Sequence, residues 1–123
     1  PFDNRYKGNL YFLIDGEGGS TTGHILSIVE DLKLGTIIGE ELGGNHFCVG
    51  GQRPFRLANT NLFYWVGRYT NITAVKTKSD DRGVMPDHYV KESIQDYLND
   101  VDTVMKYTMK LIRKNQKYTS SQN

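Results

Sequence analysis

Gly18-Gly19-Ser20-Thr21-Thr22-Gly23 is the stretch of this chain best suited to chemistry. It follows the apolar run Leu10-Tyr11-Phe12-Leu13-Ile14 and precedes Ile25, Leu26, Ile28, Val29 and Leu32, which recur at helical spacing. A serine at such a strand-to-helix junction meets unpaired backbone amides and the positive end of a helix dipole, an arrangement that can hold the oxyanion of a tetrahedral acyl intermediate. The N–H of Thr21 is one donor in that reading, and the glycines before Ser20 allow a tight turn and close approach of a substrate chain. The same pattern also fits a plain serine helix cap, and on pattern alone the cap is the favoured reading. The run is neither a phosphate-binding G-x-x-x-x-G-K-[ST] loop nor a full G-x-S-x-G elbow, because Thr22 takes the last glycine's place.

Other reactive side chains are scattered. His24 lies one helical turn after Ser20 and reads more simply as a helix-surface residue than as its base. His46, beside Asn45, is either a substitute base or a polar loop residue, and His88 reads as structural. No H-E-x-x-H or cysteine pairing accompanies them, so neither a metal nor another cofactor is implied. The single cysteine, Cys48, excludes an internal disulfide and reads as a buried strand residue. Asn71-Ile72-Thr73 fits a glycosylation sequon, which matters only in a eukaryotic secretory setting.

The elements that must position these groups follow from the pattern. Residues 10–14 predict a strand buried on both faces, residues 25–32 a helix stopped at Gly35, and 36–38 a second buried strand, together a β-turn-α-β unit. After a Gly39–Gly44 loop, Phe47-Cys48-Val49, Phe55-Arg56-Leu57, Leu62-Phe63-Tyr64-Trp65-Val66 and the stretch 71–75 read as short strands, the aromatics at 63–65 divided between core and a partly exposed face. Residues 76–83 form a polar loop. Ser93 opens a helix with a capping pattern, and Asp102 caps a last helix whose Met105 and Met109 fall on its core stripe. From Asn115 the chain is expected to fray.

With 123 residues the chain is one domain or part of one, and 15 basic against 14 acidic residues give a net charge of +1. That balance argues against a nucleic-acid binder, and the apolar runs are too short to span a membrane. An opening at Pro1, running at once into a strand, predicts a piece of a longer protein, and a truncated α/β unit would expose apolar sheet surface and self-associate.

From Tyr6 to Ile112 the chain resembles the C-terminal half of the catalytic domain of tail-specific, or C-terminal-processing, serine proteases. The resemblance rests on residues 6–15 (YKGNLYFLID), Gly19-Ser20, Ile37-Ile38-Gly39-Glu40 with Gly43-Gly44, Leu57-Ala58-Asn59-Thr60 and Gly83-Val84-Met85-Pro86-Asp87, in the family's order. It implies an α/β fold of stacked βαβ units, the ClpP/crotonase-like superhelix, present as a partial domain over residues 1–114 with a polar tail at 115–123. It also implies that Ser20 is the nucleophile, that Thr21 supplies an oxyanion amide, and that Gly19, Gly43 and Gly44 border an extended polypeptide substrate. The best-known members carry an activating lysine where this chain has Asn45. The sequence therefore looks more like the branch containing the tricorn core protease and interphotoreceptor retinoid-binding protein, whose peptidases use a histidine from the N-terminal half of the domain and a supporting glutamate. Asp80 is the closest positional match to that glutamate. The resemblance further implies work outside the cytoplasm, and self-association or pairing with an N-terminal half. A module that keeps the fold without the chemistry is the alternative, and an acyl-CoA hydratase-like member of the same broad fold is a third.

Overall fold

The computed structural model describes residues 3–76 and 81–120. β1 (Tyr11–Ile14) leads through the glycine turn into α1 (Thr21–Leu32), and β2 (Thr36–Gly39) returns parallel to β1, with Tyr11 opposite Thr36 and Ile14 opposite Gly39. β3 (Phe47–Gly50), β4 (Arg53–Arg56), β5 (Phe63–Val66) and β6 (Tyr69–Ile72) follow; then come β7 (His88–Tyr89), α2 (Ile94–Leu98) and α3 (Thr103–Ser120). The order β1-β2-β7 makes one parallel three-stranded sheet, so the chain is α/β.

Burial of α1 against the sheet makes the core. Leu26 and Val29, one helical turn apart, meet Ile14, Ile37, Leu42 and Val84, with Phe12 packed against the cluster. Ile38 points the other way by strand alternation and is fully buried, and α3 approaches β1 and β2. β7 is fastened at its start by Asp87, whose N–H donates to the Ile37 carbonyl at 2.8 Å while its carboxylate accepts the Ile37 N–H at 2.8 Å. Gly39, at φ 134°, sits where any side chain would run into the Ile14 carbonyl, so the close β1–β2 approach depends on glycine.

Two antiparallel pairings project from this body. β3 pairs with β6 and β4 with β5, and both follow one register: Gly50 opposes Tyr69, and three residues on Arg53 opposes Val66. Residues 47–72 are therefore a single two-stranded ribbon, interrupted at 51–52 and 67–68, where the Arg68 N–H still reaches the Gly50 carbonyl at 3.0 Å. Every residue from 51 to 72 is exposed.

Several expectations need correction. β1 is an edge strand and not buried on both faces; Leu10 and Leu13 are exposed. α1 stops two residues before Gly35, at Lys33 in the left-handed conformation, whose N–H and that of Leu34 satisfy the Glu30 and Val29 carbonyls. Phe63, Tyr64 and Trp65 lie on the projecting ribbon and contribute nothing to the core. Met105 and Met109 are exposed, and Thr108 is the buried residue of that helix face, its hydroxyl donating to the Val104 carbonyl. Helix α3 runs on through Ser120. The two capping expectations hold: Ser93 Oγ accepts the Asp96 N–H at 3.0 Å, and Asp102 accepts that of Met105 at 2.8 Å. Among the described residues no helix is long and apolar enough to cross a membrane.

Candidate active site

Ser20 precedes α1 but does not cap it. Its hydroxyl makes no bond to the helix amides, and its backbone stands at φ 50°, ψ −122°, a conformation that ordinarily belongs to glycine. That twist turns the exposed side chain away from its own helix and toward Cys48, with Oγ 3.9 Å from the sulfur. The preceding turn is closed by the Thr22 N–H to the Gly19 carbonyl at 3.0 Å and by Asp15, which accepts the Glu17 N–H at 3.1 Å. Thr21 begins the helix, so its amide belongs to the set that has no acceptor within the helix.

Facing this turn is the loop after β2. Gly23 lets α1 lie directly on that loop, because a side chain there would come within 2.6 Å of the Asn45 carbonyl oxygen. Gly44 lies against Gly19, and outside Gly19 the space is open for 4 Å. A cleft of about 350 Å³ results, bordered by Ser20, Gly43–Asn45, Phe47–Cys48 and Asp81–Gly83.

The far rim is held by Glu41 and Arg82. Arg82 donates Nε to Glu41 Oε1 at 2.8 Å and an Nη2 proton to Oε2 at 2.5 Å, a two-pronged grip, and the Gly83 N–H adds a third bond to Oε1 at 2.9 Å. The Arg82 hydrogen bonds, then the Gly83 amide, hold the Glu41 carboxyl down to about 2. The Leu42 N–H donates to the Val84 carbonyl and the Val84 N–H to the Gly44 carbonyl, both at 3.0 Å, joining the two loops through their backbones. Asn45 ties in the third segment: its Nδ2 donates to the Arg82 carbonyl at 3.0 Å, and its Oδ1 accepts the Phe47 N–H at 3.1 Å.

The structure thus brings Ser20, Gly43 and Gly44 to one cleft, while Gly19 lies against Gly44 and Thr21, the first helical residue, is not among the residues that line it. Asp80 lies outside the described residues; Asp81 and Arg82, next along the chain, line the cleft. Among the described residues no histidine borders it. His24 is half-buried, with its Nε2 shut off from solvent and without a hydrogen-bond partner. His46, expected as a base or a polar surface residue, is buried and packs edge-on against Phe47. His88 meets the Tyr107 hydroxyl through Nδ1 at 3.1 Å, in keeping with a structural role. Cys48 is half-buried at the mouth of the cleft, a placement the sequence reading did not foresee. The Glu41–Arg82 grip also escaped that reading, because its partners lie 41 residues apart and neither sits in a local motif. The one available hint was Gly83, which has to pass close to the Leu42 carbonyl.

No protein-family profile matches the chain, and no curated protein does. Among solved structures, the tricorn protease superposes on 95% of this chain with a TM-score of 0.56 at 19% identity. The matched part is 12% of that protein's length. The chain therefore has the α/β fold of a segment of the tricorn protease.

Proposed function

We propose that this chain is the C-terminal part of a serine peptidase catalytic domain of the tail-specific type, with the ClpP/crotonase-like arrangement of βαβ units. The observation that carries the reading is the backbone of Ser20: a non-glycine residue held at φ 50°, ψ −122° between a strand and a helix, its hydroxyl free of capping duty and facing a cleft. Strain of this kind costs about 1–3 kcal/mol and gathers where a side chain must be presented to a substrate. A helix cap would need no such strain, and the fold shared with a segment of the tricorn protease adds support.

In this reading Ser20 Oγ attacks the carbonyl carbon of an extended polypeptide lying along Gly19 and the Gly43–Gly44 loop. The Thr21 amide receives the oxyanion, a contribution of about 3 kcal/mol for a well-placed donor. The serine proton passes to a histidine carried by the N-terminal half of the domain and then to the departing amine, and water releases the acyl group. Asp80 is the carboxylate assigned to steady that histidine, and the resemblance puts the work outside the cytoplasm.

A second reading is favoured by a specific observation: among the described residues no histidine or lysine lines the cleft. A module of the same fold that binds peptide or ligand without cleaving it would look like this. A fluorophosphonate probe applied to the chain expressed together with the preceding half of its domain separates the two. The peptidase reading expects stoichiometric labelling at Ser20, lost along with peptide hydrolysis in Ser20→Ala. Absence of labelling, with peptide binding retained, establishes the binding module.

A further inference from the structure

The ribbon at 47–72 is built as an arm and carries its own recognition chemistry. Directly opposed residues share a face, so Phe55 stacks on Tyr64 with ring centres 5.6 Å apart, and the Arg56 guanidinium lies 4.2 Å over the Phe63 ring. Extending that register puts Val49, Phe55, Leu57, Leu62, Tyr64 and Val66 on one side, all exposed. A lone two-stranded ribbon is marginal in water, and an apolar stripe of this length open to solvent marks an interaction surface.

Charge indicates what the stripe meets. Between Glu41 and Asp80 the chain has no carboxylate, while the ribbon carries Arg53, Arg56 and Arg68. Residues 87–102 are the reverse, with Asp87, Glu92, Asp96, Asp100 and Asp102 against Lys91 alone. There, beside α2, a groove of about 620 Å³ is lined by Tyr97, Leu98 and Val101 together with Glu92, Asp100 and Asp102. Its Tyr97 and Leu98 are about two-thirds exposed. An arginine-bearing aromatic ribbon and an apolar groove rimmed with carboxylates are complementary, and residues 51–72 do not pack on the rest of the described residues.

We propose that two copies of this chain exchange arms, the ribbon of each lying in the α2 groove of the other. Area favours exchange over arms stacked on each other. At ~3.4 Å per residue and roughly 10 Å across, one ribbon face offers about 350 Å². Two arms stacked face to face bury roughly 700 Å² in total, below the ~1,200 Å² of stable interfaces, whereas reciprocal exchange buries roughly 1,400 Å². This association is independent of any chemistry at Ser20.

Sedimentation velocity with paired charge reversals tests it. One variant carries Arg53→Glu and Arg68→Glu; Arg56 is spared because it holds the arm tip through Asn61 at 2.9 Å. The other carries Glu92→Lys and Asp100→Lys; Asp100 has φ 55°, a backbone that Lys33 already adopts in this chain. The unaltered chain is expected to dimerise, each variant alone to dimerise at least tenfold more weakly, and an equimolar mixture of the two to recover the original affinity as a heterodimer. Circular dichroism identical to that of the unaltered chain confirms that both variants are folded, which their exposed sites favour. A monomeric unaltered chain, a reversed-arm variant that dimerises as well as the original, or a mixture that stays monomeric overturns the proposal. So does an arm that is protected from trypsin only when the preceding half of the domain is supplied.

Discussion

At φ 50° and ψ −122°, Ser20 holds a conformation that glycine adopts without cost, so Ser20→Gly should relax the turn even as it deletes the hydroxyl. Relief of about 1–3 kcal/mol, less the ~1 kcal/mol that glycine's freedom adds to the unfolded chain, leaves a net gain of about 1 kcal/mol. In a chain of this size that raises the melting midpoint by about 3–5 °C. Ser20→Ala keeps the strained backbone and should melt where the unaltered chain does. Equal midpoints for the glycine and alanine variants would show that the turn stores no strain. The position of Ser20 was legible because its signals are local: a strand, a pair of glycines and a helix in succession. Its backbone angles and its neighbour Cys48 were not, since the sulfur arrives from a strand 28 residues further on. The histidines make the same point: their residue type allowed a base, but only the packing of α1 and of the 46–47 turn shows that neither His24 nor His46 borders the cleft.

Among the connecting elements, the contact between the 41–45 and 81–84 loops shapes the cleft, and the share of it that Glu41 supplies depends on pH. The Glu41 carboxyl stands at about 2 in the folded chain against an ordinary value near ~4.3 when unfolded. A depressed carboxyl stabilises the fold in full above the unfolded value, and that contribution is lost as pH falls from about 4.3 toward 2. Glu41→Gln should therefore melt below the unaltered chain at pH 7, and the two curves should converge across that acid window. Midpoints that stay equally far apart from pH 7 to pH 2 would remove the carboxylate from the clamp. Sequence carried the elements with local punctuation well, as the Ser93 and Asp102 caps show. It carried β1 less well, because a run of apolar residues does not say whether a strand lies at the centre or the edge of its sheet. Nor did it identify Lys33 as the helix stop, since Gly35 offered the better residue type and the actual geometry closed two residues earlier.

For the molecule as a whole, the α/β class and the β1–α1–β2 unit could be read from periodicity, whereas the projecting ribbon could not. Hydrophobicity places Phe63, Tyr64 and Trp65 in a strand but does not tell a core strand from one that leaves the body. Trp65, the chain's sole tryptophan, is opposite Pro54 and stands 63% exposed on the face away from the Phe55–Tyr64 stripe. Moving the indole across in a Tyr64→Trp, Trp65→Phe variant puts it on the stripe, where its emission maximum is expected to shift to shorter wavelength as protein concentration rises through the dimerisation range, and to remain unshifted when Arg53→Glu and Arg68→Glu are added. A concentration-independent maximum in the first of these variants would mean that the stripe stays in water. The pause in pairing at 51–52 and 67–68 has a mechanical consequence. Gly50, Gly51 and Gly67 surround it, and Gly51 already has φ 62°, so the ribbon is a lever with a pivot partway along. Its root holds Cys48 beside Ser20, while its paddle, from Arg53 to Val66, extends about 20 Å beyond the pivot at ~3.4 Å per residue. A bend of roughly 20° there re-aims the paddle by about 7 Å and leaves the root in place, so a grip taken at the far end need not disturb the sulfur or the serine it touches.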